Sequence, residues 1–183
     1  MLNQQYKDKE VLIPIQEVLN ETGSIQLQGI LDSKPYLELL NKMSKFNLKK
    51  EYSPESHSYH SSKFTDKDVI NLISKFISEL FTRKPELKLA TLYKFKHQDY
   101  TLLQDDISEK KGVTVILELT KEWDLQADGY TTFFEDNAEI SRINPIPNSL
   151  AIILTNKNMK SFIKYINHYS KTNERIFIEL KFS

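Results

Sequence analysis

The sequence predicts an α+β fold that is mainly β: a double-stranded β-helix, or jelly roll, backed by N-terminal helices. Three observations carry that reading. The helix-periodic stretches lie in residues 1–86, the hydrophobic period changes to two from Leu87 onward, and no helical stretch interrupts the strands that follow. Eight short strands without crossover helices fit two antiparallel sheets packed face to face and do not fit a parallel α/β sheet. At 183 residues the chain can bury a core as one domain, with residues 1–86 as supporting helices and an edge strand and residues 87–183 as the jelly-roll core.

The elements follow in order. Val11, Leu12, Ile15, Val18 and Leu19 recur at helical spacing, and Pro14, tolerable only in a first turn, makes this a short helix ending near Asn20. Gly23 releases the chain into residues 24–30, where apolar and polar side chains alternate as in a half-buried strand. Pro35 opens a second helix carrying Leu37, Leu40 and Met43. Residues 51–63, with Pro54, His57, His60 and several serines, read as a solvated loop; the two histidines have no third metal ligand nearby. Thr65 is the expected N-cap of a third helix, with Asp68 among its first amides. Its stripe of Val69, Leu72, Ile73, Phe76, Ile77, Leu80 and Phe81 is too apolar for water and belongs across the outer face of a sheet. Strands are then expected at 87–96, 99–105, 113–120, 129–135, 139–143, 149–155, 159–166 and 174–182, with turns such as Asp136-Asn137 between them.

Composition narrows the function classes. Lys plus Arg and Asp plus Glu both total 25, so no net charge steers the chain toward nucleic acid or acidic membrane. With no cysteine there is no disulfide framework, thiolate metal site or Cys nucleophile. The polar N-terminus lacks a signal-peptide core, and no stretch approaches the roughly 20 apolar residues of a membrane span. Cytoplasm, nucleus or both are the expected locations.

Several runs resemble a known family. They are Tyr6 to Leu27, Tyr100-Thr101-Leu102-Leu103-Gln104-Asp105-Asp106, Glu122-Trp123-Asp124 with Gly129-Tyr130, Asn144-Pro145 with Asn148-Ser149-Leu150-Ala151, and Phe162-Ile163-Lys164-Tyr165-Ile166-Asn167-His168. Their order and spacing resemble the C-terminal domain of the eukaryotic ribosomal-protein prolyl 3-hydroxylases, which are two-domain oxygenases dependent on Fe(II) and 2-oxoglutarate. The resemblance implies that an N-terminal catalytic jelly roll carries iron and 2-oxoglutarate. This chain would match the second jelly roll, which has lost the metal ligands and serves as a partner-binding, regulatory or structural module linked to translation termination. The implied partners are the catalytic jelly-roll domain and translation or transcription regulatory proteins.

On that resemblance, a His-x-Asp pair, a distal His and a following Arg would form the iron and 2-oxoglutarate site. Those places hold Gln104, Asp106, Ser161 and Arg175. Non-haem Fe(II) with open positions is normally held by two histidines and a carboxylate, and a neutral amide and a hydroxyl are poor replacements. The expectation is therefore no catalytic residue, no metal and no cofactor in this chain. An active dioxygenase with a reduced ligand set is the alternative, and a small-ligand module using the empty barrel is a third reading. Neither His97 nor His168 has the position of a lost ligand. Arg175 is either a vestigial carboxylate grip or, as expected here, an ordinary surface ion pair. Glu118, Glu122 and Asp124 read as a solvated strand end. Trp123 is either a binding anchor or a cap on the barrel core, and Phe162, Lys164 and Tyr165 form a candidate partner surface.

Overall fold

The computed structural model describes residues 1–82, 84–105 and 111–183. Helix α1, Lys9–Thr22, starts where the Asp8 side chain accepts from the Glu10 amide, and it ends at Gly23 in the left-handed region (φ 76°). It runs through Pro14, against expectation. The missing N–H leaves only the Glu10 carbonyl without its helical donor, on an exposed face, while burial of Leu12, Ile15 and Leu19 holds the helix together. Strand β1, Ser24–Gln28, follows. Helix α2, Ser33–Ser44, buries Tyr36, Leu39, Leu40 and Met43, whereas Leu37 faces solvent.

The polar segment read as a loop is instead a β hairpin, with β2 at Lys49–Ser53 and β3 at His57–Lys63. Its ladder is made by backbone groups, which need no apolar pattern, and Tyr59 anchors it in the interior against Tyr93 and Phe95. Side chains three apart on a strand point to opposite faces, so His57 and His60 cannot form a pair of metal ligands. Helix α3, Lys67–Leu80, is capped by Asp66 and not by Thr65, since the Asp66 carboxylate accepts from the amides of Asp68 and Val69.

The remaining strands are β4 (Leu87–Phe95), β5 (Tyr100–Thr101), β6 (Gln104–Asp105), β7 (Gly112–Glu118), β8 (Thr131–Glu135), β9 (Ala138–Ile143), β10 (Ser149–Thr155), β11 (Met159–Ile163) and β12 (Arg175–Phe182). A major sheet has the order β1-β10-β7-β12-β4-β3-β2, with β5 added to β3, and a minor sheet has the order β6-β11-β8-β9. All of these pairings are antiparallel.

Two cores result, one on each side of the major sheet. The helices and the outer face of that sheet enclose the first, with Val115, Leu117, Leu150, Ile152, Ile176 and Ile178 among its members. The second lies between the sheets and contains Phe95, Ile116, Phe133, Ala151, Ile153 and Phe177. Neighbouring residues of β7, β10 and β12 thus enter different cores, which is why these strands read as almost continuous apolar runs. The architecture is the predicted jelly roll backed by helices. Among the described residues, no helix is long and apolar enough to cross a membrane.

Candidate functional site

The parity of β12 decides what lies between the sheets. Ile176, Ile178 and Leu180 pack beneath the helices, so Arg175 and Phe177 face the inter-sheet space. Arg175 is not on the surface, as expected from the sequence, but fully buried. Glu118, expected at a solvated strand end, is buried with it, because Glu118 shares the inward parity of Ile116 and stands opposite Phe177 in the β7–β12 register.

The two side chains form an ion pair with a defined set of partners. Arg175 Nε donates to Glu118 Oε2 at 2.9 Å, and Nη1 donates to the Gly129 carbonyl at 2.6 Å and to Thr131 Oγ1 at 2.9 Å. Nη2 lies 2.9 Å from the same Oε2 but off the hydrogen-bond line and makes no other bond. The guanidinium stacks on the Phe177 ring, 4.4 Å from its centroid. Thr120 Oγ1 donates to the second carboxylate oxygen, Oε1, and itself accepts from the Ile176 amide. Burial pushes the Glu118 carboxyl up, while Arg175 and the Thr120 bonds pull it back. The Tyr36 hydroxyl, bonded to the Thr120 carbonyl, is pushed up to about 12 by burial and by the Glu118 charge.

Gly129 brings its carbonyl into this network at a positive φ of 71°. A Cβ there would sit 2.8 Å from Ile166 and 3.0 Å from Trp123, so the close approach requires glycine. Trp123 is half-buried, donates its indole N–H to the Asp128 carbonyl at 2.9 Å and packs on the inter-sheet core.

Beyond the ion pair the barrel is filled by aromatic rings. Phe95 and Phe177 stack with centroids 5.8 Å apart, Tyr93 lies 5.1 Å from Phe177, and Tyr59 lies 5.3 Å from Phe95. A cavity of about 70 Å³ lies among these rings, bordered by Thr101, Thr131 and Ser161 among others. Ligand clefts are usually about 300–1,000 Å³.

The structure brings two of the candidate site positions together. Gln104 on β6 and Ser161 on β11 are direct partners in the antiparallel register. Asp106 lies outside the described residues. Among the described residues, no group of three His, Cys, Asp or Glu side chains could hold a metal ion. His97 and His168 are exposed, far from a ligand role. Phe162, Lys164 and Tyr165 lie apart from the ion pair, toward the outside of the minor sheet, where Phe162 stacks on Phe134 at 5.7 Å.

Sequence reasoning misplaced Glu118, whose only signal for burial was its parity with Ile116, and missed Asp99. The latter is buried and accepts from Lys50 Nζ at 2.7 Å, from Ser58 Oγ and from the Lys96 amide, tying the β2–β3 hairpin to the turn after β4. That pairing depends on the hairpin, which the polar sequence did not reveal.

No protein-family model matches the chain. Across an 89-residue stretch, 47% of the chain, it is 28% identical to mouse Prolyl 3-hydroxylase OGFOD1, and that match spans 16% of the mouse protein. Solved structures share the fold over nearly the whole chain. A Trichoplax adhaerens prolyl hydroxylase, in complex with a hypoxia inducible factor oxygen degradation domain peptide fragment, matches with a TM-score of 0.78 at 14% identity, covering 98% of this chain and 91% of that one. A Pseudomonas putida prolyl-4-hydroxylase gives 0.73 at 12% identity, covering 93% and 97%. A 2OG-Fe(II) oxygenase family oxidoreductase from Burkholderia pseudomallei gives 0.75 at 10% identity, covering 100% and 93%. The chain therefore has the fold of 2-oxoglutarate and Fe(II) oxygenases and a weak sequence likeness to a prolyl 3-hydroxylase.

Proposed function

We propose that this chain is a non-catalytic pseudo-oxygenase domain, the C-terminal regulatory and protein-interaction module of a ribosomal-protein prolyl 3-hydroxylase linked to translation termination. The observation that carries the reading is the Glu118–Arg175 pair. An arginine that grips a co-substrate carboxylate needs its donors free, and here Glu118, Gly129 and Thr131 engage both Nε and Nη1. A co-substrate dianion would have to displace a buried internal carboxylate and enter a space of about 70 Å³.

The donor chemistry supports the same conclusion. Gln104 and Ser161 offer a neutral amide and a hydroxyl where Fe(II) is usually held by imidazole, so the residues at these positions do not fit the metal. In this reading the chain binds neither iron nor 2-oxoglutarate, which belong to a catalytic jelly-roll domain that it docks. Its further partners are translation or transcription regulatory proteins, its location is the cytoplasm, the nucleus or both, and it contacts neither membrane nor nucleic acid.

Calorimetric titration with Fe(II) and with 2-oxoglutarate under anaerobic conditions, followed by a succinate-release assay with proline-containing peptides, tests the proposal. No saturable heat and no succinate above background are expected. Stoichiometric, micromolar Fe(II) binding or peptide-dependent succinate would establish instead the alternative, an active dioxygenase with a reduced ligand set.

A further inference from the structure

The two outer faces of the barrel are treated differently. Helices cover the outer face of the major sheet, whereas no described helix packs on the minor sheet. Apolar side chains nevertheless gather there. Leu102 and Leu103 are each 51% exposed and Tyr165 is 44% exposed. Together with Phe162 they line a trough of about 550 Å³, and a second trough of about 460 Å³ continues from it through the shared residues Leu103 and Phe162 to Phe134.

The surface is pre-organised. Phe134 and Phe162 stack across β8 and β11, and Tyr100, whose hydroxyl donates to the Pro54 carbonyl at 2.8 Å, lies 6.4 Å from the Tyr165 ring. Aromatic anchors held in place before binding lose little side-chain entropy when a partner arrives.

Charge selects the occupant. Among the described residues, Lys164 is the only charged side chain around the first trough and none pairs with its ammonium, while Asp136 and Lys160 border the far trough. A partner that buries this face must bring a carboxylate to it or leave a desolvated cation.

We propose that this groove docks a segment of a partner protein that presents large apolar side chains and at least one carboxylate. The proposal rests on the reading of the chain as an interaction module and adds the site and the chemistry of its ligand. Leu102, Leu103, Phe162 and Tyr165 take the apolar side chains, and Lys164 takes the carboxylate.

The test is selection of a phage-displayed random 12-mer library on the full chain, with the affinity of enriched peptides measured by fluorescence anisotropy. Enriched peptides are expected to combine two or more of Leu, Ile, Phe and Trp with Asp or Glu. Leu103→Asp, at a half-exposed position, and Phe162→Asp should each weaken binding at least about tenfold, with circular dichroism matching that of the unaltered chain. Selection on Lys164→Glu should shift toward basic apolar peptides. The proposal is overturned by no enrichment, by enrichment indifferent to charge, or by binding that survives Leu103→Asp. Concentration-dependent dimerisation in sedimentation, lost in Leu103→Asp, would give the groove to a second copy and overturn it equally. Iron binding bears only on the non-catalytic reading, so a chain that binds Fe(II) and still selects acidic apolar peptides would lose that reading and keep this groove.

Discussion

Arg175 and Glu118 illustrate how much a buried charge depends on its partner. Both are almost entirely removed from water, and each is tolerable only because the other is there. Replacing Glu118 by Ala should cost about 3–5 kcal/mol in chemical denaturation, because a guanidinium would be left uncompensated in the core. The cavity so made would be lined by the donors that Glu118 had engaged. Formate should therefore raise the melting temperature of Glu118→Ala well beyond any effect on the unaltered chain, and no such rise in the variant would show that the arginine is not the group left unsatisfied. The sequence held only part of this. Gln104 and Ser161 were candidate site positions by resemblance alone, and the register pairs their backbones without testing that role. The 57-residue separation of Glu118 and Arg175 hid their pairing, since strand parity tells which residues share a face and not which face is inside.

At the level of elements, legibility followed the source of stability. Helix α3 and strands β4, β7, β10 and β12 are held by buried apolar side chains, so their periods appear in the sequence. The β2–β3 hairpin is held by backbone ladders, a half-buried Tyr59 and the Asp99 network, and its Ser- and His-rich sequence resembles a loop. The cap of α3 slipped by one residue for a similar reason: Thr65 and Asp66 are both good caps, and Asp66 prevails with two amides and the Lys42 ammonium, 2.6 Å away. That hydrogen bond with Lys42, followed by the amides of Val69 and Asp68, holds the Asp66 carboxyl below its ordinary 3.8. A depressed folded-state value adds stability that is complete above 3.8 and is lost as pH falls through the lower value. Asp66→Ala should cost about 1 kcal/mol at neutral pH. Asp66→Asn, which keeps an acceptor but no charge, should differ from the parent chain at pH 6 and converge on it in acid. A pH series of urea melts reads both outcomes, and a constant gap across the series would remove the charge from the account.

Across the whole molecule, one sheet serves two cores, and its middle strand is β12, the last in chain order. β12 is flanked by β7 on one side and β4 on the other, so the two halves of the major sheet meet only through residues 175–182. Both cores take side chains from this strand, Ile176 and Ile178 on one side and Phe177 on the other. Synthesis from the N-terminus therefore produces two sheet fragments with open edges before the segment that joins them exists. Pairings this distant in sequence close slowly, and unpaired edges invite aggregation while they wait. A ribosome-tethered chain ending at Glu174 should be digested readily by protease, while one extended past Ser183 by a linker long enough to clear the exit tunnel should resist it. The strand that carries Arg175 is thus also the one that joins the two halves of the major sheet, so neither half has its full set of neighbours until residues 175–182 have been made.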